Sequence, residues 1–283
     1  MTTRTSGSVF AILSALVEEC AGLHYGPTEQ DVFLARVESR AEEAGFESLL
    51  DYYYFLRYDP GGPRELDELI DHLVVNETYF FRELEPLRLI ASQLIQPLVA
   101  SGKRPRIWSA ACATGEEPLT LAMLLAQAGL LSEVDLIASD ISQRALATAR
   151  RGRFGRRSLR YGIDNELAKR WLREDGDRFQ IDSTLIEAID WRRLNLCVAE
   201  ELSGVGACDV VLCRNVLIYF REDTVARVVE QLTSRLKPGG ALLVGVAESL
   251  LRFGTTLACE ELNQVFLYRK LPVPAASEAS LLP

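Results

Sequence analysis

The sequence is poor in the residues that usually build metal centres. It contains two histidines, His24 and His72, and none of its six cysteines belongs to a C-x-x-C pair. Because zinc sites use closely spaced cysteine and histidine ligands, no metal site is expected. The cysteines instead indicate buried free thiols in a reducing compartment.

Long apolar runs are also lacking. The longest mostly apolar stretch, LTLAMLLAQAGLL (Leu119 to Leu131), is too short to span a bilayer. The apolar patch near the N-terminus is interrupted by Glu18 and Glu19 and lacks a signal-peptide cleavage pattern, which favours an amphipathic helix. We therefore expect a cytoplasmic protein that does not insert into membranes.

The chain has no overall excess of positive charge. Its net charge of −9 disfavours non-specific binding to nucleic acid or anionic lipid. With 48% hydrophobic and 25% charged residues, it can form a substantial core. A local exception is an arginine cluster, for which a solvated basic face is the simplest interpretation. Its members are Arg150, Arg151, Arg153, Arg156, Arg157 and Arg160.

The length of 283 residues favours two domains, or one large α/β domain with an appendage. Residues 1–75 contain four stretches with apolar residues at three- and four-residue steps, such as SVFAILSALVEECAGL and RELDELIDHLV, without strand-like alternation. Gly45 and the turn at Pro60, Gly61 and Gly62 separate these stretches. The pattern predicts an all-α N-terminal domain.

Residues 76–271 show short apolar runs that alternate with helical stretches. The runs are PRIWSA, VDLIASD, CDVVLCRN, ALLVGVAES and QVFLYRK. This alternation predicts an α/β domain with a parallel sheet covered on both faces. Residues 152–190 interrupt it, and DRFQIDSTLIEAIDW within them indicates a hairpin in a small antiparallel insertion. Residues 272–283 are rich in Pro, Ala and Ser, as in a flexible linker.

Two of these runs end in residues suited to a ligand pocket, because open α/β sheets bind ligands at the carboxyl ends of their strands. The first is followed by SAACATGEEP, which lacks the three glycines of a dinucleotide site. The second ends at Asp140. This residue can accept hydrogen bonds from ribose hydroxyls, or it can cap the next helix in competition with Ser142.

Glu116 and Glu117 stand where the first helix of the α/β domain should begin. They suit the helix dipole, but they also present negative charge to a ligand. A pyrophosphate would prefer bare amide groups at that position. A cationic nucleoside without phosphate, such as S-adenosylmethionine, fits better, and a nicotinamide-dependent oxidoreductase is disfavoured.

Five motifs taken in order resemble the signature blocks of the CheR-type chemotaxis receptor methyltransferases. They are NETYFFRE, IWSAACATGEEP, ASDIS, CRNVLIYF and LKPGGALLVGVAES, and the resemblance covers roughly residues 8–270. It implies an all-α N-terminal domain, then a Rossmann-like S-adenosylmethionine-dependent methyltransferase domain with a small antiparallel β-subdomain. It also implies methyl transfer to glutamate side chains of chemoreceptor signalling helices, with S-adenosylhomocysteine as the second product.

The resemblance also implies roles for particular residues. Tyr219 matches a tyrosine that faces the transferred methyl group, and we expect Arg82 and Tyr219 to position the acceptor carboxylate. Without the motif, Arg82 would be read as a surface residue in a salt bridge with Glu83 or Glu85, and Tyr219 as a core residue. The expected cofactor-binding residues are Asn76, Thr78, Arg82, Ala110, Glu117, Asp140, Asn195, Leu196, Arg214 and Asn215.

The second helical stretch departs from the family. Relatives that modify standard receptors carry a strongly basic helix there, whereas Arg36 and Arg40 are surrounded here by acidic residues. This disfavours receptor docking by that helix and leaves the arginine cluster as an alternative surface. Some relatives continue into helical repeats, and a C-terminal repeat domain beyond this chain is compatible with the sequence. The competing hypotheses are a non-catalytic S-adenosylmethionine-binding module and a methyltransferase with another substrate.

Overall fold

The computed structural model describes residues 2–160 and 166–272. Within these ranges, no helix combines the length and the apolar character that crossing a membrane requires. The linker predicted for residues 272–283 lies outside the described residues from residue 273 onward.

The first part of the chain is all helical, as its apolar spacing predicts. Its helices enclose a core that includes the fully buried Phe33, Tyr52 and Leu69. The hydroxyl of Ser48 caps the third helix by accepting a hydrogen bond from the N–H of Asp51. The helices are α1 (Thr2–Ala21), α2 (Gln30–Glu43), α3 (Leu49–Tyr58) and α4 (Gly62–Leu73).

Glu65 of α4 is the centre of a polar network in this helical core. Its carboxylate accepts hydrogen bonds from Arg40 Nε and Nη2 at 2.7 and 2.6 Å, and from the Tyr52 hydroxyl at 2.7 Å. Burial alone would raise the pKa of Glu65, but these donors lower it below its ordinary value. The ionised carboxylate therefore ties α2, α3 and α4 together.

The described chain after residue 105 contains ten β-strands. They are β1 (Arg106–Ala110), β2 (Asp135–Asp140), β3 (Arg153–Gly155), β4 (Leu172–Asp175), β5 (Arg178–Ile181), β6 (Ile189–Arg193), β7 (Cys208–Cys213), β8 (Leu236–Val244), β9 (Ala258–Leu262) and β10 (Val265–Arg269). Seven of them form one sheet in the order β6-β2-β1-β7-β8-β10-β9. The first five are parallel, and β10 and β9 pair antiparallel at one edge.

Helices cover both faces of this sheet, as predicted. Ile107 and Trp108 are neighbours on β1, yet they belong to two different hydrophobic cores, one on each face of the sheet. The helices are α5 (Leu84–Leu89), which continues through a π-helical turn (Ile90–Ile95) into α6 (Gln96–Ala100), then α7 (Glu116–Gln127), α8 (Gln143–Arg151), α9 (Glu166–Trp171), α10 (Ser183–Glu187), α11 (Ala199–Leu202) and α12 (Glu222–Arg235).

From β1, the chain adds β2 and then β6 toward one edge of the sheet. It then returns to place β7 on the other side of β1 and adds β8 toward the opposite edge, so the order of the strands reverses between β1 and β7. In an open parallel sheet, such a reversal leaves a crevice at the carboxyl ends of the strands. The residues that follow β1, β2 and β7 therefore meet at one place.

A second sheet contains three short antiparallel strands in the order β3-β5-β4. It confirms the small antiparallel β-subdomain, but the hairpin predicted in DRFQIDSTLIEAIDW is wrong. The hairpin instead joins β4 to β5 through Gly176, whose φ is +63°. After β5, Asp182 begins α10 by accepting a hydrogen bond from the N–H of Thr184, and β6 then joins the large sheet beside β2. The predicted turn is therefore absent: β5 ends at Ile181, and Asp182 caps a helix in place of the turn of a hairpin.

Glu65→Gln tests the polar network of the helical core. Because the folded-state pKa of Glu65 is lowered, its charge stabilises the fold above the unfolded-state pKa of about 4.3, and this contribution is lost as the pH falls through the folded pKa. We expect the variant to be less stable than wild type by about 2 kcal/mol at pH 7, and the difference to shrink below about pH 4.

Urea unfolding followed by circular dichroism measures both effects. Glu68→Gln is the control, because Glu68 is exposed on the same helix. A stability difference that stays constant with pH would contradict the role of the Glu65 charge.

Candidate active site

A cleft opens at the carboxyl ends of the parallel strands, beside β1 and β7. It encloses about 910 Å³, counting the part that is open to solvent. All the site residues predicted from the sequence line it except Ala110, which is fully buried within β1. Ala111 and Ala113 line the cleft instead, because the chain leaves the sheet at that point. The predicted residues that line it are Asn76, Thr78, Arg82, Glu117, Asp140, Asn195, Leu196, Arg214, Asn215 and Tyr219.

The loop after β1 borders the cleft in a strained conformation. Ala111 and Ala113 have φ values of +57° and +48°, and Gly115 has a φ of +92°. A left-handed conformation costs a non-glycine residue about 1–3 kcal/mol and is concentrated at functional sites. The small side chains predicted to allow close approach of a ligand therefore lie on a backbone that curves along the cleft.

Asp140 is held at the end of β2 by backbone hydrogen bonds. One carboxylate oxygen accepts from the N–H of Ala113 at 2.8 Å, and the other accepts from the N–H of Ser142 at 2.9 Å. Burial raises the pKa of Asp140, and these donors oppose part of the rise. The interpretation of Asp140 as the cap of α8 is wrong, because the Ser142 hydroxyl accepts the capping hydrogen bond from Ala145. Asp140 is thus a cleft-lining carboxylate in a fixed orientation.

Arg214, directly after β7, is the central charged residue of the site. Its guanidinium is almost fully buried and forms ion pairs with Glu83 at 2.6 Å and with Glu117 at 2.9 Å. Glu117 also accepts a hydrogen bond from the Ser109 hydroxyl at 2.8 Å. Burial alone would lower the pKa of Arg214, but the two carboxylates raise it, so the guanidinium stays charged. The ion pairs join the end of β7 to the start of α7 and to the segment before α5.

The stretch NETYFFRE is anchored by its two phenylalanines. Phe80 is fully buried against Phe154, and its N–H donates to the carbonyl oxygen of Ser158. Phe81 is also buried, has a φ of +66°, and donates its N–H to the hydroxyl of Thr120. These contacts hold the polar residues on either side of the phenylalanines at the edge of the cleft.

Arg82 extends from this segment into the cleft. Its Nη1 donates to the carbonyl oxygen of Glu77 at 3.3 Å. The alternative salt bridges with Glu83 or Glu85 are not formed, because both carboxylates pair with other arginines. Within the described residues Arg82 has no ion-pair partner, so its charge is available to an anionic group that enters the cleft.

Tyr219 lies in the loop after β7, and Glu248 fixes that loop. The Glu248 carboxylate accepts hydrogen bonds from the N–H groups of Asn215, Leu217 and Gly245 at 2.7, 2.8 and 2.7 Å. Leu217 takes the core position, while Tyr219 is partly exposed and lines the cleft. Burial raises the pKa of the Tyr219 hydroxyl, so it remains protonated at neutral pH. Sequence reasoning missed Glu248 although it belongs to the motif GVAES.

The helical domain forms one wall of the cleft, which the sequence did not indicate. Leu23 lines the cleft and forms an antiparallel bridge with Phe220, and the N–H of His24 donates to the carbonyl oxygen of Tyr219 at 2.9 Å. Gly22 permits this contact, because its φ is +73° and a Cβ atom there would lie 2.6 Å from a neighbouring thiol sulfur. Both parts of the chain therefore build the cleft.

Cys112 and Cys213 are buried in the segments that end β1 and β7. Burial raises the pKa of each of these two thiols well above the ordinary value of a cysteine. Since the thiolate is the nucleophilic form, neither cysteine is suited to covalent catalysis.

A mixed sheet with five parallel strands and an acidic residue at the end of β2 give the site the architecture of a Rossmann-like nucleoside-binding domain. Together with the match to an S-adenosylmethionine-binding domain, this places the chain in the class of Rossmann-like S-adenosylmethionine-dependent methyltransferases. Family comparison then gives the particular family. The family described as "CheR methyltransferase, SAM binding domain" matches residues 76–266, and "CheR methyltransferase, all-alpha domain" matches residues 8–74. The chain belongs to the CheR methyltransferase family.

Three relatives illustrate the similarity. The chain is 29% identical to chemotaxis protein methyltransferase 1 of Pseudomonas aeruginosa, over 85% of this chain and 90% of the relative. It is 36% identical to chemotaxis protein methyltransferase 2 of Vibrio cholerae, over 78% of each chain. It is 38% identical to the probable biofilm formation methyltransferase WspC of Pseudomonas aeruginosa, over 70% of this chain and 47% of that relative.

Arg214→Met removes the partner of two carboxylates while keeping much of the side-chain volume. Breaking a buried ion pair costs about 3–5 kcal/mol, because the remaining charge is left uncompensated. We expect the variant to lose about 3 kcal/mol of unfolding free energy, measured by urea titration. A triple variant that adds Glu83→Gln and Glu117→Gln should recover part of the loss. A loss below about 1 kcal/mol, as for an exposed ion pair, would contradict this assignment.

Asp140→Ala should weaken the binding of S-adenosylhomocysteine about tenfold, as expected for the loss of a charged hydrogen bond. Isothermal titration calorimetry measures the dissociation constant. Ser142→Ala is the matched control, because it removes the cap of α8 without removing a cleft-lining side chain. Equal affinities of Asp140→Ala and the wild type would remove Asp140 from the binding site.

Proposed function

We propose that the protein transfers a methyl group from S-adenosylmethionine to glutamate side chains on the cytoplasmic signalling helices of chemoreceptors. The products are γ-glutamyl methyl esters and S-adenosylhomocysteine. Relatives named chemotaxis protein methyltransferase support this activity. The observation on which the proposal rests is the meeting of Arg82, Tyr219 and Asp140 in one cleft.

The residues around the cleft fit S-adenosylmethionine. Asp140 offers its carboxylate to the ribose hydroxyls, and Asn195 and Leu196 would border the adenine. Arg214 Nε is buried and has no hydrogen-bond partner among the described residues, so a donor is available to the methionyl carboxylate. When bound, the cofactor supplies an electrophilic methyl group. The other polar residues proposed to hold the methionyl part are Asn76, Thr78, Arg82, Glu117 and Asn215.

The acceptor requires little chemical activation. A glutamate side chain has a pKa of about 4.3, so its carboxylate is already ionised at neutral pH and needs no general base. The described residues that line the cleft accordingly include no histidine. Arg82 can bind the carboxylate through its planar guanidinium, and the protonated Tyr219 hydroxyl can donate to it. The protein then contributes mainly alignment of the acceptor oxygen with the methyl group.

The competing hypotheses have less support. A non-catalytic binding module would not require an unpaired arginine and a tyrosine beside the cofactor pocket, yet Arg82 and Tyr219 both lie there. A nucleic acid substrate is disfavoured by the net charge of −9. Because one relative is named a probable biofilm formation methyltransferase, the proposal includes biofilm formation as an output beside chemotaxis.

Transfer of radiolabelled methyl groups to purified chemoreceptor cytoplasmic fragments tests the proposal. A carboxyl methyl ester is cleaved by base, so the incorporated label should be released as methanol. Label that resists base would show a different acceptor. If no fragment is labelled while S-adenosylhomocysteine still binds, the non-catalytic module would replace this proposal.

In the same assay, Arg82→Ala should reduce methyl transfer at least about 100-fold, because the acceptor loses the group that orients it. Its thermal unfolding should match that of the wild type. Arg88→Ala is the control, since Arg88 is an exposed residue of α5 paired with Glu85. A fully active Arg82→Ala variant would remove Arg82 from the catalytic site.

A further inference from the structure

A cluster of arginines extends from α8 to the mouth of the cleft. Between Asp140 and Asp164 the sequence contains seven arginines and no acidic residue, although the whole chain has a net charge of −9. Six of the seven are exposed, and Arg160 is half-buried. We call this group the arginine surface. Its members are Arg144, Arg150, Arg151, Arg153, Arg156, Arg157 and Arg160.

Most of this positive charge is not neutralised within the protein. Among the described residues, the arginine surface forms two ion pairs, Arg153 with Asp175 and Arg160 with Glu77. Three other members donate hydrogen bonds to backbone carbonyl oxygens. Five of the seven guanidinium groups therefore lack a carboxylate partner there, which favours an anionic binding partner.

Arg160 brings this surface to the mouth of the cleft. Its guanidinium pairs with Glu77, a cleft-lining residue, and lies 4.6 Å from the ring centroid of Tyr79. The same ring centroid is 5.6 Å from the guanidinium of Arg82. Tyr79 therefore holds one arginine of the surface close to the arginine proposed to bind the acceptor carboxylate.

A groove continues from the cleft along α8. Residues 74–77 line both the cleft and the groove. Arg144, Ala145 and Thr148 of α8 line the groove on its other side. Arg36 of α2 also lines it, and Asp71 and Glu77 are its two acidic residues. Apolar and small side chains beside exposed arginines suit an amphipathic helix that carries acidic residues.

Helix α2 is unsuited to such a partner. Its exposed residues include Asp31, Glu38 and Glu42, which would repel acidic groups. Arg36 donates to backbone carbonyl oxygens at the end of α4, and Arg40 pairs with a carboxylate on that helix. The arginines of α2 therefore stabilise the helical domain, and the outward charge of this helix is negative.

We propose that the arginine surface docks the acidic helix that carries the methyl-accepting glutamate. This inference rests on the proposed function, since it assigns the substrate of that site to a surface beside it. The partner helix lies along α8, its acidic residues face the arginines, and its target glutamate reaches Arg82 through the mouth of the cleft. Charge complementarity of this kind governs the association rate and its salt dependence.

Steady-state methylation of a purified chemoreceptor cytoplasmic fragment by the Arg144→Glu, Arg157→Glu double variant tests the docking surface. We expect the KM for the fragment to rise at least about tenfold, while kcat and the affinity for S-adenosylhomocysteine stay unchanged. Added salt should raise the KM of the wild type more than that of the variant. The matched control is Arg64→Glu, Lys103→Glu, which changes the net charge equally at exposed residues outside the cleft and the groove.

Each other outcome has a defined meaning. An unchanged KM in an active double variant would overturn the docking surface and leave the proposed function intact. If the KM of the Arg64→Glu, Lys103→Glu control rises equally, the change in KM comes from the net charge of the protein. That result would also overturn the docking surface. A fall in KM for Glu38→Lys would place the partner on α2 instead. If the wild type methylates no fragment, the proposed function fails and the docking inference fails with it.

Discussion

The buried guanidinium of Arg214 is the interaction on which the cleft depends. It joins the end of β7 to the start of α7 through Glu117 and to the segment before α5 through Glu83. A guanidinium in this position would be costly to bury without carboxylates, and the carboxylates would be costly to bury without it. Because Glu83, Glu117 and Arg214 each belong to a different motif segment, their ion pairs fix the relative positions of three walls of the cleft.

Backbone strain accompanies these ion pairs. Among the residues that the structure describes, seven non-glycine residues have left-handed φ values. Five belong to the segments around the cleft, and the other two, Asn263 and Gln264, form the turn between β9 and β10. Those around the cleft are Phe81, Glu83, Ala111, Ala113 and Asn215. Each costs about 1–3 kcal/mol, which the surrounding buried core must offset. The strained backbone is therefore concentrated in the segments around the cleft.

Charged side chains in different parts of the molecule differ in what they contact. Inside the cleft lie the carboxylate of Asp140 and the guanidinium of Arg82, which the proposed function assigns to ribose hydroxyls and to the acceptor carboxylate. The arginines of α2 are used within the helical domain, and those of the segment around α8 remain exposed. A strongly basic region therefore lies beside the mouth of the cleft, although the net charge of the whole chain is −9.

The sequence by itself determined the succession of helices and strands and most of the residues that line the cleft. Apolar spacing and capping depend on neighbours a few residues apart, and three of the motifs include the carboxyl ends of β1, β2 and β7. Only the tertiary structure decided that Ala110 is buried in the sheet, that the hairpin lies before Asp182, and that Leu23 and Glu248 help to build the site. Leu23 meets Phe220 from another domain, and Glu248 accepts from the N–H of Asn215, which lies 33 residues away. Contacts between residues so far apart follow from how whole elements pack, and no local pattern records them.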